Sequence, residues 1–220
     1  MKKTNNTELE QEQQEIDQTE LMAMLNQSSD YSVSEKIGLT LLNSSVHFLT
    51  GIIHEQNIEQ TIRWIVYENL ITPLPEEVKD QEGNPKVLTL YINSPGGSLN
   101  DSLALIDVMR SSRVPIRTIG MGQIASAAFL IFSAGAKGQR YIYKNTSIMS
   151  HQFSGEIFGK HHDIKAHIKE FELSNNRMMS VLQETTGLDI RTIKNKLLPP
   201  TDVWLTPEEL IKFHVADQLI

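Results

Sequence analysis

The sequence predicts an α/β domain, on two observations. From about residue 37 to the C-terminus, short apolar segments of strand character alternate with segments of helical periodicity, the signature of strands joined by right-handed helical crossovers. Within that series, Val87-Leu88-Thr89-Leu90-Tyr91-Ile92 is almost continuously apolar, the pattern of a central parallel strand covered on both faces.

Residues 1–36 are a different material. Between Met1 and Glu20 there are two lysines and six acids (Glu8, Glu10, Glu12, Glu15, Asp17, Glu20) and almost nothing apolar. Too little can be buried to offset the entropy of ordering, so a disordered acidic tail is expected over 1–36 and a single domain over 37–220. Leu21, Met22, Met24 and Leu25 read as part of a fraying end in preference to a short docking turn.

In the domain, Val46, Phe48 and Leu49 make a strand that stops at Gly51. Ile58, Ile62, Ile65, Val66 and Asn69 then recur at helical spacing over 55–71, and Pro73 and Pro75 end that helix before the polar loop Glu76–Lys86. After the central strand and Asn93-Ser94-Pro95-Gly96-Gly97, a helix is expected over Asp101–Arg110 with Leu103, Ile106 and Met109 inward. A strand over Ile116–Met121 follows, loosened by Gly120 and Gly122. Next come an apolar helix after Ser126 closed by Gly135, and short strands at Tyr141–Tyr143 and Ser147–His151. Ile164, Ile168, Phe171, Met178 and Leu182 mark one face of the longest helix, with Gly187 as its C-cap. A short helix near Ile190–Leu197, the break Pro199-Pro200, a helix from Pro207 and a strand over Val215–Ile220 complete the chain.

Composition narrows the function. The chain has 220 residues, 40% apolar and 21% charged, enough for one substantial domain. Net charge is −7 and no Lys/Arg run exceeds two, which argues against nucleic-acid or membrane-surface partners. Cysteine is absent, so disulfides, thiol nucleophiles and thiolate metal sites are excluded. Lys2 and Lys3 are followed by polar and acidic residues, and no apolar run approaches a membrane span, so a soluble cytoplasmic protein is expected. Neither Gly96-Gly97 nor Gly135-Ala-Lys137-Gly138 completes a phosphate-binding loop, and no ATPase activity is expected.

Reactive groups in α/β folds collect where strands end. Three ends stand out: Ser94-Pro95-Gly96-Gly97, Ser126 and His151. Ser126 lies between a strand and an apolar helix, a position that suits a nucleophile and, more often, an ordinary N-cap. The glycine pair frees backbone N–H groups to point at a ligand. His151 ends an apolar strand, where a lone histidine is more often structural. His161-His162 are adjacent and lack a second ligand cluster, so no metal site is expected. Asp202 follows Pro199-Pro200-Thr201 in a constrained loop and equally suits a turn cap. A serine nucleophile needs a base, an orienting carboxylate and two oxyanion donors, and Ser126, His151, Asp202 and the amides near Gly97 are a shortlist with one of each.

Several segments together resemble a known family. Tyr91–Ser98 (YINSPGGS), Met121–Ser126 (MGQIAS), Ser133–Arg140 (SAGAKGQR) and Ser147–Gln152 (SIMSHQ) are similar to signature segments of the Clp protease proteolytic subunit. His47–Gly51 (HFLTG) resembles its first core strand, and Asp202–Glu209 (DVWLTPEE) the segment with its third catalytic residue. The resemblance runs from about residue 40 to the C-terminus, in order. It implies a crotonase/ClpP-like superhelix of ββα units with a protruding handle helix, formed by the segment around Ile164–Leu182. It implies a serine endopeptidase in which Ser126 is the nucleophile, His151 the general base and acid, and Asp202 the carboxylate that orients His151. The Gly97 and Ala127 amides would form the oxyanion hole, with no cofactor and no metal. Unfolded polypeptides would be the substrates, stacked heptameric rings (a tetradecamer) the assembly, and a separate AAA+ unfoldase the partner. The tail would be a propeptide removed by self-cleavage.

The sequence departs from the family pattern at several points. Phe153 stands where the family usually has proline, and Ala127 where it commonly has methionine. Leu197-Leu198-Pro199-Pro200-Thr201 and Val203 replace charged residues used in ring-to-ring contacts, and the Pro73–Pro85 loop is longer than usual. Two other readings follow from the same residues. One is a non-catalytic or regulatory subunit of a hetero-oligomeric Clp-type ring. The other is an acyl-CoA hydratase-like enzyme with the same superhelix, whose activity would survive loss of the Ser126 hydroxyl.

Overall fold

A computed structural model describes residues 23, 31–72, 86–155 and 158–220. The Pro73–Pro85 loop and most of the 1–36 tail lie outside the described residues. The chain divides into two compact units, Met1–Ser44 and Ser45–Ile220. In the first, helix α1 (Val33–Asn43) straddles the expected 36/37 boundary. Its start is a capping box: the Ser32 hydroxyl accepts from the Glu35 N–H at 3.3 Å, and the Glu35 carboxylate accepts from the Ser32 N–H at 2.8 Å.

The second unit is a mixed α/β fold, as its alternating pattern predicts. Strands β1 (Val46–Thr50), β2 (Leu88–Ser94), β3 (Ile116–Ala125), β4 (Arg140–Ile142) and β7 (Gln218–Leu219) lie side by side in that order, all parallel. Strand β5 (Ser147–Ser150) pairs parallel with the far half of β3, and β6 (Val203–Leu205) pairs antiparallel with β5. Leu88, Leu90 and Ile92 on β2 are fully buried, which accounts for the apolar run of that strand.

Helix α2 (Glu55–Ile71) has the expected bounds and buries Ile58, Thr61, Trp64, Ile65 and Glu68. Trp64 stacks on His47 of β1, with ring centroids 5.2 Å apart, and His47 Nε2 lies 3.2 Å from the Thr61 hydroxyl. Burial holds the His47 pKa below its ordinary 6.5. The unfolded chain therefore binds the proton more readily than the fold. This contribution to stability is present above pH 6.5 and is lost as the pH falls toward the folded value. The thermal midpoint of the protein is expected to fall more steeply between pH 7 and pH 5 than that of a His47→Gln variant. Parallel melting curves check it.

Helix α3 (Leu99–Ser111) starts earlier than expected because the Ser98 hydroxyl caps it, accepting from the Asp101 N–H at 3.3 Å. Its inward face is Leu99, Ser102, Leu105, Ile106 and Met109; Leu103 is only half-buried, a correction of one position in the helical phase. Helix α4 (Ala127–Ser133) is buried along its whole length. Gly135 is not its left-handed cap: Ala134 ends the helix in a right-handed conformation, and Gly135 is needed because a Cβ there would strike Thr118. Helix α5 (His161–Thr186) is the longest among the described residues, and Gly187 closes it at φ 74° with its N–H on the Gln183 carbonyl at 2.9 Å. The second half of α5 buries Met178, Val181 and Leu182, while Ile168 in the first half is exposed. A single turn α6 (Ile190–Thr192) runs into a π-helical turn, Ile193–Leu197, and α7 (Pro207–Lys212) precedes β7. Among the described residues, no helix is long and apolar enough to cross a membrane.

Candidate active site

The site forms where β3 outgrows β2. Ile92 pairs with Gly120 but Ser94 pairs with Ile124, so β3 carries two extra residues across this step. The bulge needs Gly122, at φ 61°, because a Cβ there would lie 2.7 Å from the Asn93 side-chain oxygen. That oxygen accepts from the Gln123 N–H at 3.1 Å and closes the bulge. The strand expected to end at Met121 thus continues to Ala125, and Ser126 alone makes the turn into α4.

Ser126 has φ 54° and ψ −122°. For a residue with a Cβ this conformation costs about 1–3 kcal/mol and persists only where its surroundings hold it. The holders are visible: its N–H donates to the Met149 carbonyl at 2.9 Å, and its carbonyl accepts from the Phe129 N–H at 3.0 Å. The ordinary N-cap reading is corrected here. A capping serine has extended backbone angles that bring its hydroxyl over the first helical amides. At positive φ the Ser126 side chain makes no capping hydrogen bond. Its Oγ lies 2.8 Å from His151 Nε2 instead.

His151 reaches Ser126 through sheet registry. Ala125 pairs with Met149 on β5, so the parallel register runs on to set Ser150 beside Ser126, with His151 one residue further along. Asp202 comes from the other side. Ser150 pairs with Val203 in the antiparallel β5–β6 ladder, and one further step of that register sets His151 opposite Asp202. Asp202 is exposed, however, and among the described residues no hydrogen bond joins its carboxylate to the imidazole. The structure therefore brings Ser126 and His151 into contact and leaves Asp202 adjacent in register but unconnected.

Gly97 and Ala127 flank the serine. Gly97 bridges to Ile53: the Ile53 N–H donates to the Gly96 carbonyl at 2.8 Å, and the Ser98 N–H donates to the Ile53 carbonyl at 3.0 Å. A Cβ on Gly97, at φ 150°, would collide with the Ile53 carbonyl. The Gly96 N–H is taken by the fully buried Ser94 hydroxyl at 3.0 Å. Among the described residues no hydrogen bond occupies the Gly97 or Ala127 amides. Ala127 opens α4, where the first N–H groups have no partner within the helix.

Asn93, Ser94 and Gly96 belong to the strand end that the sequence singles out, but the sequence assigns none of them a part of its own. Gly96 lies against the serine turn: a Cβ there would be 2.7 Å from Ser126 Cβ and 3.1 Å from the Ala127 nitrogen. Ser94 and Asn93 fix the glycine loop and the bulge. A glycine pair and small polar residues at a strand end were signals, but their individual duties depend on the register shift. Beside the site, a cavity of about 390 Å³ is lined by Gln152, Glu172, Met179, Lys194 and Leu198 among others. Among the described residues no group of three or more His, Asp or Glu could hold a metal ion.

Compared with protein families, residues 34–220 match the family model described as Clp protease.

Proposed function

The chain belongs to the Clp protease family, a family of serine peptidases, and from that premise we propose that it is the ATP-independent peptidase core of a self-compartmentalised serine endopeptidase. The observation that carries this reading is the 2.8 Å contact between the strained Ser126 and His151. In the proposed reaction Ser126 Oγ attacks the scissile carbonyl while His151 Nε2 takes its proton. The tetrahedral oxyanion is held by the Gly97 and Ala127 N–H groups. The intermediate collapses, the amine leaves with the proton from His151, and water attacks the acyl-enzyme with His151 again as base. Asp202 orients the imidazole once its carboxylate closes on Nδ1; catalytic hydrogen bonds that are open in a free enzyme often tighten only when substrate binds.

Unfolded polypeptides are the proposed substrates, stacked heptameric rings the assembly, with the first half of α5 as the handle, and an AAA+ unfoldase the partner. The proposed location is the cytoplasm, and the 1–36 tail a propeptide. A fluorogenic peptide hydrolysed without nucleotide, by an assembly whose native mass is a multiple of seven subunits, is the expected result. The open Asp202–His151 step favours a second reading, a regulatory subunit of a mixed ring; an inert protein that enters the rings of an active Clp peptidase would establish it instead.

The oxyanion assignment has its own check. Gly97→Ala drives a methyl group into the Ile53 carbonyl and displaces the amide. Peptide hydrolysis is expected to fall about 10²–10³-fold, the usual effect of losing one oxyanion donor. Steady-state kinetics on the variant measure it.

A further inference from the structure

The chain that leaves His151 is clipped to α5. The Phe153 N–H donates to the Asn175 side-chain oxygen at 2.8 Å. One turn earlier on the same helix, Phe171 receives the Phe153 ring edge-on at 4.9 Å, and Gly155 packs against it so closely that a Cβ would lie 2.9 Å from Phe171 Cζ. Between His151 and this clip, Gln152 Nε2 donates to the Leu198 carbonyl at 3.0 Å. The His151 backbone is held by β5 on one side only. On the other side, its course is set by the clip.

We propose that Asn175 is a positioning residue for His151: by holding the Phe153 amide, it fixes the path of the segment that presents the imidazole to Ser126. This rests on the peptidase reading above. The clip depends on the identity of residue 153, since a proline there would have no N–H to give. A displacement of about 1 Å in a base can reduce turnover by as much as 10²-fold, so a single hydrogen bond two residues away has leverage.

The test uses full-length protein and three variants: Asn175→Ala, Asn175→Asp and Phe153→Pro, the last also combined with Asn175→Ala. Peptide kcat and KM are measured, together with the rate at which a fluorophosphonate labels Ser126. Asn175→Ala is expected to lower kcat and the labelling rate about tenfold, the effect of one net hydrogen bond, with KM within about twofold. Asn175→Asp, which keeps an acceptor oxygen for the same N–H, is expected to restore both. In the Phe153→Pro background Asn175→Ala should add nothing, because the partner is already gone. An undiminished effect in that background overturns the proposal, as does a raised KM at unchanged kcat, which would mark Asn175 as a substrate contact. Should Phe153→Pro fail to fold, the alanine and aspartate variants decide alone: equal rates in both overturn it. An active wild type with indifferent Asn175 variants removes only this inference, whereas a wild type neither active nor labelled removes the peptidase reading as well.

Discussion

The Ser126→Ala variant is expected to lose peptide hydrolysis on the order of 10⁵–10⁶-fold in kcat, retaining roughly 10³–10⁴ over water from the oxyanion amides and substrate binding. The size of the loss follows from what the hydroxyl does. It lies 2.8 Å from His151 Nε2, among the described residues the one side chain hydrogen-bonded to the imidazole, and it makes no contribution to capping α4. Removing it therefore takes away chemistry and little structure. Alanine occupies the same positive φ at the same backbone cost, and the Met149 and Phe129 bonds that hold the turn are made by backbone atoms. The thermal midpoint should stay within a few degrees of the wild type. Because serine and histidine act as a unit, Ser126→Ala/His151→Ala should be no slower than the single variant. Additive losses in that pair would mean that the two residues do not share one reaction step. Hydratase chemistry at the same site would leave Ser126→Ala fully active, and that outcome would transfer the site to a different reaction class.

Replacing Asp217 with alanine is expected to destabilise the fold by about 3–5 kcal/mol, because it strands a buried cation. Arg140 is 2% exposed at the start of β4. Its Nε and Nη2 donate to the two Asp217 carboxylate oxygens at 2.8 and 2.6 Å, and its Nη1 donates to the Thr185 carbonyl at 3.0 Å, at the negative end of α5. The same carboxylate also accepts the backbone N–H groups of Gly138 and Arg140. One ion pair thus ties β4, the end of α5 and the approach to β7. Burial alone would raise the Asp217 pKa; the Arg140 guanidinium and these amides outweigh it and hold it below the ordinary 3.8. Its contribution to stability is accordingly present above pH 3.8 and lost as the pH falls through the folded value. For a domain of this size the alanine variant should melt about 6–20 °C lower at pH 7. A change under 2 °C would show that the pair contributes no more than a surface contact.

How much of this was legible beforehand depends on the range of the interactions involved. Helix α2 was readable to the residue because its apolar period and the prolines that end it are local signals. The end of α5 was readable because Gly187 meets a backbone need that glycine alone satisfies cheaply. By contrast, β3 was expected to stop at Met121, since Gly120 and Gly122 look like breakers; they are the device by which the strand bulges and continues. Strand β6 is three residues long and owes its existence to β5, so Val203-Trp204-Leu205 carried no signal of its own. Arg140 and Asp217 are 77 positions apart, and neither announces a partner. At the site, Ser126 and His151 could be shortlisted by type and by position at strand ends, and Asp202 as an acid in a proline-constrained loop. That two of them touch, while the third stands across an antiparallel ladder, is a consequence of registers that no short window of sequence contains.

The most direct test of the account is where a serine-reactive fluorophosphonate attaches. Incubated with the intact protein and mapped by peptide mass spectrometry, the probe is expected to form one stoichiometric adduct on Ser126, in the wild type and not in Ser126→Ala, at a rate that falls when His151 is replaced. Equal labelling of wild type and Ser126→Ala, or an adduct on any other residue, would contradict the assignment of Ser126 and His151 as the catalytic pair.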